Sequence, residues 1–327
     1  MSEVNFQAYK DIRCCFGSAA GVVLGTKHAA GDTWEVPRTS SFTMPMLSAP
    51  LQVGDNHSGH YGQVETQGRH RDDTSTYEAA FTMDASATTI LMLTQSMFGD
   101  SSSAAALTPA TTSGAMKDAV ASATHNTILF ENGGSDASAV DLIMPSAFPT
   151  SMTIKGDLGT NGGVIQCDAT YWSAYRPEET TLTPSAYSHL TDAVYNMFTN
   201  AATVSIASQP FICTGFEVTI SRTLERVLQK ATGTAIPFGY TQTSPYEVTG
   251  SITAKRDDSI LDLIATFKGD SSGIAVAIGG GNLNLSLPDA MCDVSSVDVG
   301  STPLLVTIPF RGFAASVSAS IIDITCT

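Results

Sequence analysis

Short runs in which apolar and polar residues alternate recur through the second half of the chain. Residues 216–221 and 248–254 are the clearest, and 317–321 shows the same alternation. A period of two places successive side chains on opposite faces, so each run predicts a strand with one buried and one polar side. The polar members of the first two runs are Glu217, Thr219, Ser221, Thr249, Ser251 and Thr253.

Helical periodicity is confined to two segments. The apolar residues between 260 and 267 fall on one helical face, and Asp257 and Asp258 precede them, where free amides and the helix dipole favour negative charge. In the first half, Asp84 and Ser86 precede a similar apolar set within residues 90–97. Both segments are predicted to be short helices.

The chain contains an internal repeat. Residues 76–102 and 245–272 share a Tyr-Glu start, an apolar helical segment and a Gly-Asp-Ser-Ser end, and glycine-containing hairpins follow in both copies, at 127–144 and 274–287. In the first half, residues 152–172 read as strand, glycine turn and strand, as do 297–313 in the second. We therefore predict a mainly β protein with short helices and two domains of one topology.

The predicted domains are residues 1–180 and 181–327, divided at the linker-like segment 176–188. The first domain carries an insertion, about 104–126, rich in Ala, Ser and Thr. Long loops connect the strands of each domain, at 54–76 and 222–244, and loops of this length are usually functional. Five of the sixteen basic residues lie in or just after the second loop, namely Arg222, Arg226, Lys230, Lys255 and Arg256. A cationic loop on a protein of net charge −15 predicts contact with another copy.

The bulk composition of the chain excludes some classes of protein and disfavours others. The 327 residues are 43% apolar and 14% charged, which excludes a disordered chain. The strong negative charge disfavours a nucleic-acid-binding module. We expect no membrane insertion, because apolar runs are short, and synthesis in the cytoplasm, because the N-terminus does not resemble a signal peptide. The six cysteines form no CxxC pair and are predicted to be free thiols.

No motif predicts catalysis or a cofactor. His57, His60 and His70 could be drawn as a metal site, but they lie in a polar loop without a matched ligand set, so an exposed loop is the simpler interpretation. Asp257 and Asp258 could form a carboxylate pair, although a helix start explains them better. Because an enzyme can assemble its site from distant residues, the classes of enzyme and small-molecule binder stay open as lesser alternatives.

Residues 214–267, TGFEVTISRTLERVLQKATGTAIPFGYTQTSPYEVTGSITAKRDDSILDLIATF, resemble the tail tube protein (major tail protein) of long-tailed bacteriophages. The shared pattern is a strand, a long loop, a "VTGSIT"-type strand and a short helix. Residues 198–208, FTNAATVSIAS, resemble the strand that precedes this signature, and the opening AYKDIRCCFGSAAGVVLGT is similar to N-termini of the same group.

The resemblance implies β-sandwich or β-barrel units with a flanking helix that assemble into rings of sixfold or pseudo-sixfold symmetry. Rings of this family stack through a long hairpin loop into a hollow tube with an acidic lumen. The tube holds the tape-measure protein, passes double-stranded DNA without sequence recognition, and ends at tail terminator and distal tail proteins. Two such units per chain predict homotrimeric rings, with a homohexamer as the alternative, in the tail of the virion.

The alternative function is another self-assembling β-rich virion protein, such as a capsid decoration protein or an adhesin or fibre.

The resemblance to the tail tube protein also implies roles for individual residues, and no cofactor. Candidates for the ring-stacking loops are Arg222, Arg226, Lys230, Tyr240, His57, His60, Arg69 and Arg71. Candidates for residues that face the lumen or a neighbour are Glu217, Thr219, Ser221, Thr249, Ser251 and Thr253.

Overall fold

The structure is a computed structural model, and it describes most of the chain. The described residues are 12–18, 24–45, 51–53, 69–71, 76–98, 104–107, 125–132, 141–200, 203–231, 234–255, 273–293, 296–298, 305–316 and 318–327. Among them are twenty-three strands and one α-helix. The predicted mainly β fold class is therefore confirmed.

The elements follow the sequence in two series. The first half contains β1 (Ile12–Ser18), β2 (Thr33–Val36), β3 (Thr39–Thr43), β4 (Leu51–Val53), β5 (Arg69–Arg71), β6 (Tyr77–Asp84), α1 (Ala87–Phe98), β7 (Ala104–Leu107), β8 (Asn126–Asn132), β9 (Asp141–Asp157), β10 (Gln166–Ser173), β11 (Glu178–Thr180) and β12 (Ser188–His189). The second half contains β13 (Thr203–Ile206), β14 (Gln209–Phe211), β15 (Cys213–Ser221), β16 (Leu224–Ala231), β17 (Thr234–Gln242), β18 (Glu247–Lys255), β19 (Ile274–Gly280), β20 (Leu283–Cys292), β21 (Ser296–Asp298), β22 (Leu305–Gly312) and β23 (Ile322–Cys326).

An eight-stranded antiparallel sheet, here called the central sheet, joins the two halves. Its order is β3–β6–β10–β9–β15–β18–β22–β21. The first four strands come from the first half and the last four from the second, and both sets run in the same order. In each set a two-stranded hairpin, β4–β5 or β16–β17, lies between the first and second strands in sequence. The internal repeat thus has a counterpart in the strand order.

Two outer sheets complete the layers. The first has the order β12–β2–β1–β8–β9–β11, with β12 parallel to β2. The second has the order β14–β13–β19–β20–β23–β7. Strands β9 and β20 each pair in an outer sheet and also contribute to the central sheet. Strands that pass from one sheet to another make the corners of a sandwich.

The apolar side of the central sheet faces the core. Phe81, Ile154, Val218, Ile252 and Ile308 alternate with more exposed neighbours on five of its strands, and each is at most 2% exposed. A fully buried side chain of this size contributes roughly 1.5–3 kcal/mol. One continuous apolar cluster includes residues of both halves. The core therefore fixes which side of these five strands is left for solvent or for a partner.

Helix α1 confirms the helix predicted in the first half. Ser86 caps it, since its Oγ accepts a hydrogen bond from the Thr89 amide at 3.3 Å. Asp192, from a distant segment, accepts bonds from the Thr88 amide at 2.9 Å and the Thr88 hydroxyl at 2.5 Å. The helix predicted at 257–267 lies outside the described residues.

The second predicted glycine hairpin is also confirmed, and the glycine turn of the first, at 133–134, lies outside the described residues. Strands β19 and β20 pair across a turn in which Gly281 has φ +62°, a left-handed conformation that glycine adopts without steric cost. Strands β8 and β9 pair as predicted for the first copy, and β9 and β10 form the strand–turn–strand unit. Strands β21 and β22 are its counterpart in the second half.

Three segments differ from expectation or add to it. The alternation at 317–321 is not a strand where it is described, because the Ser316 carbonyl and hydroxyl accept bonds from the Ala319 and Ser318 amides and form a turn; β23 begins only at Ile322. Within the predicted insertion, β7 pairs with β23. In the segment 176–188, β11 pairs with β9 and β12 begins at its last residue. The division into two domains stays a prediction.

Candidate functional site

The second side of the central sheet, here called the polar face, is partly open to solvent. The structure brings all six predicted residues of β15 and β18 together on it. Thr219 lies opposite Thr249, and Glu217 lies opposite Ser251. Glu217 is exposed, and the other five are half-buried. Alternation in the sequence was sufficient to place them, because the core takes their neighbours.

The first half supplies an equal share of this face. Strand β9 places Ser151, Thr153 and Lys155 beside the polar residues of β15. The hydroxyls of Thr153 and Thr219 are 2.8 Å apart, so a direct hydrogen bond crosses the junction between the halves. These β9 residues were missed from the sequence. Their own alternation with Met152 and Ile154 is the signal that could have shown them.

Ion pairs on the polar face are few among the described residues. Lys155 pairs with Asp168 of β10, and Arg311 of β22 is 3.3 Å from Glu247 of β18. Because their side chains are partly or largely exposed, each pair contributes at most about 1 kcal/mol. Their main effect is to set the local charge of the face rather than its stability.

The polar face is acidic overall. Among the strand residues whose side chains are described, six acids stand against three bases, a net charge of −3. The acids are Glu78, Asp84, Asp157, Asp168, Glu217 and Glu247, and the bases are Lys155, Lys255 and Arg311. A surface of this sign repels phosphate groups at low salt.

A groove of about 310 Å³ lies at one end of the polar face, across the β9–β15 junction. Lys155 and Asp157 line it from β9, and Glu217 lines it from β15. Its remaining lining is mostly polar or glycine and comes from these two strands and from β10, β18 and the β9–β10 turn. Two exposed apolar side chains lie at the same end of the molecule, Phe198 over Gly163 and Ile212 just before β15. The groove was not predicted, since it depends on the pairing of strands from both halves.

Strands β16 and β17, residues 224–242, form a two-stranded hairpin, here called the arm. The segment 222–244 was predicted as a long loop, and it is instead a paired hairpin with one register shift after Val227. Neither strand pairs with any other described strand. The arm leaves the central sheet where β15 ends and returns where β18 begins, at the end of the polar face opposite the groove.

The base of the arm is packed firmly against the first half. Tyr240 is 1% exposed and contacts Phe148 and Trp172 with edge-to-face geometry at 4.6 and 5.0 Å between ring centroids. Its hydroxyl donates to the Ser146 carbonyl at 3.2 Å and accepts from the Ala174 amide at 3.3 Å. Burial is the main cause that raises the pKa of Tyr240 above its ordinary value. The base is therefore held by both apolar and polar contacts.

Arg222 forms a second attachment point just before the arm. Its side chain donates from Nε to the Pro149 carbonyl at 3.0 Å and from Nη1 to the Met97 carbonyl at 3.0 Å and the Tyr246 hydroxyl at 2.7 Å. Only 5% of the residue is exposed. Burial lowers the pKa of Arg222 from its ordinary value. The guanidinium thus ties the arm to the C-terminal end of α1 and to β9.

These positions change the interpretation of the predicted stacking residues. Arg222 and Tyr240 lie inside the chain, where Arg222 holds the arm by hydrogen bonds from Nε and Nη1 and Tyr240 by its hydroxyl and its aromatic contacts. Arg226 and Lys230 lie along β16, and Arg69 and Arg71 lie in the short β4–β5 hairpin of the first half. His57 and His60 lie outside the described residues.

No cluster that could hold a metal ion is evident in the described ranges. No cluster of three or more His, Cys, Asp or Glu side chains is present there. The six cysteines are free, as predicted, and burial raises the pKa of each thiol, to about 12 for Cys14 and about 11 for Cys326. Within the same residues, no helix has the length and apolar character that a membrane crossing requires. In comparisons with known proteins, no family profile matches the chain and no curated protein matches its sequence.

Proposed function

We propose that this protein is the structural subunit of the tail tube of a long-tailed bacteriophage, in which stacked rings form a hollow conduit for DNA. The observation that carries the proposal is the β9–β15 junction in the central sheet. There the last strand of one four-stranded set pairs with the first strand of the next set. The molecule thus contains, within one chain, a contact that can be repeated between chains.

The ends of the central sheet suit such repetition. Among the described strands, β3 pairs only with β6, and β21 pairs only with β22. Exposed strand edges are templates for pairing with another chain, and closure into a barrel removes them. By analogy with β9–β15, β21 of one copy pairs with β3 of the next. Three copies then supply six four-stranded sets, which is a ring with pseudo-sixfold symmetry.

The acidic polar face becomes the wall of the conduit in this arrangement. A wall that bound phosphate groups would slow DNA, whereas a net charge of −3 per described face disfavours binding. The wall therefore encloses the tape-measure protein and lets double-stranded DNA pass without sequence recognition. Tail terminator and distal tail proteins are the proposed partners at the tube ends, and the virion tail is the proposed location.

Electron microscopy of the purified protein, with class averages viewed along the axis, tests the proposal. We expect rings or tubes with three chains and six lobes around a hollow centre. Rings of six chains would preserve the tube function but contradict the equivalence of the two four-stranded sets. Monomers that persist on concentration would contradict the tube function.

Another self-assembling virion protein is the second candidate, because free strand edges also permit an open lattice or a fibre. Met291, 65% exposed, and Phe313, 39% exposed, lie near the β20–β22 end of the central sheet and could contact a different surface protein. A capsid decoration protein or adhesin would form no closed ring alone. The same micrographs therefore separate the two functions.

A further inference from the structure

The arm has no pairing partner among the other described strands of its own chain. A two-stranded hairpin is at best marginally stable in water unless a further strand or an apolar surface supports it. The base of the arm is packed, but its strands pair with nothing else among the described strands, and Val227 is 40% exposed. Its sequence, LERVLQKATGTAIPFGYTQ, is also rich in apolar residues. These features indicate a surface that is covered on assembly.

The groove at the far end of the polar face has the complementary properties. It is open and lined by polar groups, and Phe198 and Ile212 expose 64% and 62% of their surface at the same end of the molecule. Asp157 and Glu217 give it negative charge, while its one lysine, Lys155, is already paired with Asp168. By sequence the arm carries Glu225, Arg226 and Lys230, so it is net positive on a chain of net charge −15.

The arm and the groove of one chain lie at opposite ends of the same strand, so an arm does not occupy the groove of its own chain. The arm begins after Ser221, and Gly215 lines the groove at the other end of the same strand. At the usual rise per residue, these positions are about 20 Å apart. A contact between one end of a molecule and the opposite end of the next is heterologous, and repeated contacts of this type build open filaments.

We propose that the groove across the β9–β15 junction receives the arm of a second copy in the adjacent ring. Attraction between Arg226 and Lys230 of the arm and Asp157 and Glu217 of the groove orients the contact, and Phe198 and Ile212, which are exposed at the same end of the molecule, cover part of the arm. This inference rests on the proposed tube function and adds the receiving site of the stacking contact.

Zero-length carbodiimide cross-linking of assembled protein tests the contact directly. Lys230 is the only lysine between residues 222 and 244, so its linkage to a carboxylate is unambiguous by mass spectrometry. In tubes grown from a mixture of ¹⁴N and ¹⁵N protein, we expect mixed-isotope links from Lys230 to Asp157 or Glu217. Lys230→Arg retains the charge and removes these links, which provides the matched control. Tubes without such links would overturn the proposal.

Charge reversal provides an independent measurement. Glu217→Lys is expected to raise the protein concentration needed for tube growth at least tenfold, and Lys230→Glu in the same chain is expected to restore much of the growth. Glu179→Lys, on exposed β11 of an outer sheet, is the control with the same change of charge. If Glu217→Lys grows like Glu179→Lys while wild-type tubes form, the groove assignment is wrong and the tube function stands. If wild-type protein forms no tubes, the proposed tube function is contradicted, and with it the groove assignment that rests on it.

Discussion

Replacing Arg222 by Met tests whether the buried guanidinium is what attaches the arm to the body of the molecule. The change preserves most of the side-chain volume and removes three hydrogen bonds, to Pro149, Met97 and Tyr246. Each bond from a charged donor is worth about 1.5–3 kcal/mol, but the apolar side chain also avoids a desolvation cost of several kcal/mol. In the variant the Met97 carbonyl keeps one hydrogen bond, because the Tyr246 hydroxyl also donates to it at 2.5 Å. We therefore expect a net destabilisation of about 3 kcal/mol.

Guanidinium denaturation measures the loss, and trypsin cleavage locates it. Arg226 and Lys230 are the cleavage sites within the arm, so cleavage there should accelerate in Arg222→Met if the base opens locally. Arg38→Met is the control, because Arg38 is exposed and its side chain makes a single described bond, to the Thr191 carbonyl at 3.3 Å. It should change stability by less than about 0.5 kcal/mol. Equal stability and equal arm cleavage for Arg222→Met and wild type would refute the role assigned to Arg222.

Three other perturbations probe the sheet, the helix and the arm. Gly250→Ala would place a Cβ 2.2 Å from the Glu217 carbonyl oxygen and 2.4 Å from the Phe310 ring, so it should lower the thermal midpoint by several degrees, with 1–3 kcal/mol or more expected from overpacking; Gly31→Ala, which meets nothing within 4 Å, should not. Asp192 is partly buried, which alone raises its pKa, but the bonds from Thr88 outweigh burial and lower it. Its contribution to stability, about 0.5–1 kcal/mol after screening by solvent, should be present above the unfolded pKa near 3.8 and fade as pH falls through the lower folded value. The Asp192→Asn variant should lack this part of the stability difference between acid and neutral pH. Deletion of residues 228–238, which retains Tyr240 at the base of the arm, should leave folded subunits by circular dichroism that form no tubes in micrographs, and normal tubes from this variant would contradict the stacking role.

Local patterns in the sequence predicted the strands, and the pairing between distant strands could not be read from them. The alternation at 216–221 was sufficient to predict β15, because its apolar side chains enter the core. Nothing local shows that Thr219 meets Thr153, which is 66 positions away. The groove and half of the polar face depend on that pairing, so sequence analysis found the residues of β15 and β18 and missed those of β9 and β10.

Charge was a misleading guide at the base of the arm. Arg222 was predicted to contact another subunit because it belongs to a cationic segment on an acidic chain. Its burial is stabilised by the carbonyls of Pro149 and Met97, which lie more than seventy positions earlier in the chain. Tyr240 was a stacking candidate because it lies in the same segment, and it is enclosed by aromatic residues of the first half. Both residues support the arm from inside.

The sign of the polar face gives a prediction about transport that is separate from assembly. Glu78→Lys together with Thr249→Lys would bring the described face from a net charge of −3 to 0, because the first change adds two charges and the second adds one. Neither residue lines the groove, so tube growth should persist. Tubes of this variant should retain labelled duplex DNA at low salt. They should release it near 0.2 M salt, where the Debye length is below about 8 Å and exposed charges are largely screened. Glu179→Lys with Thr203→Lys adds the same charge on exposed positions of the outer sheets. Equal retention by both variants would mean that the polar face does not line the conduit, whereas retention by the first alone would place DNA against β6 and β18.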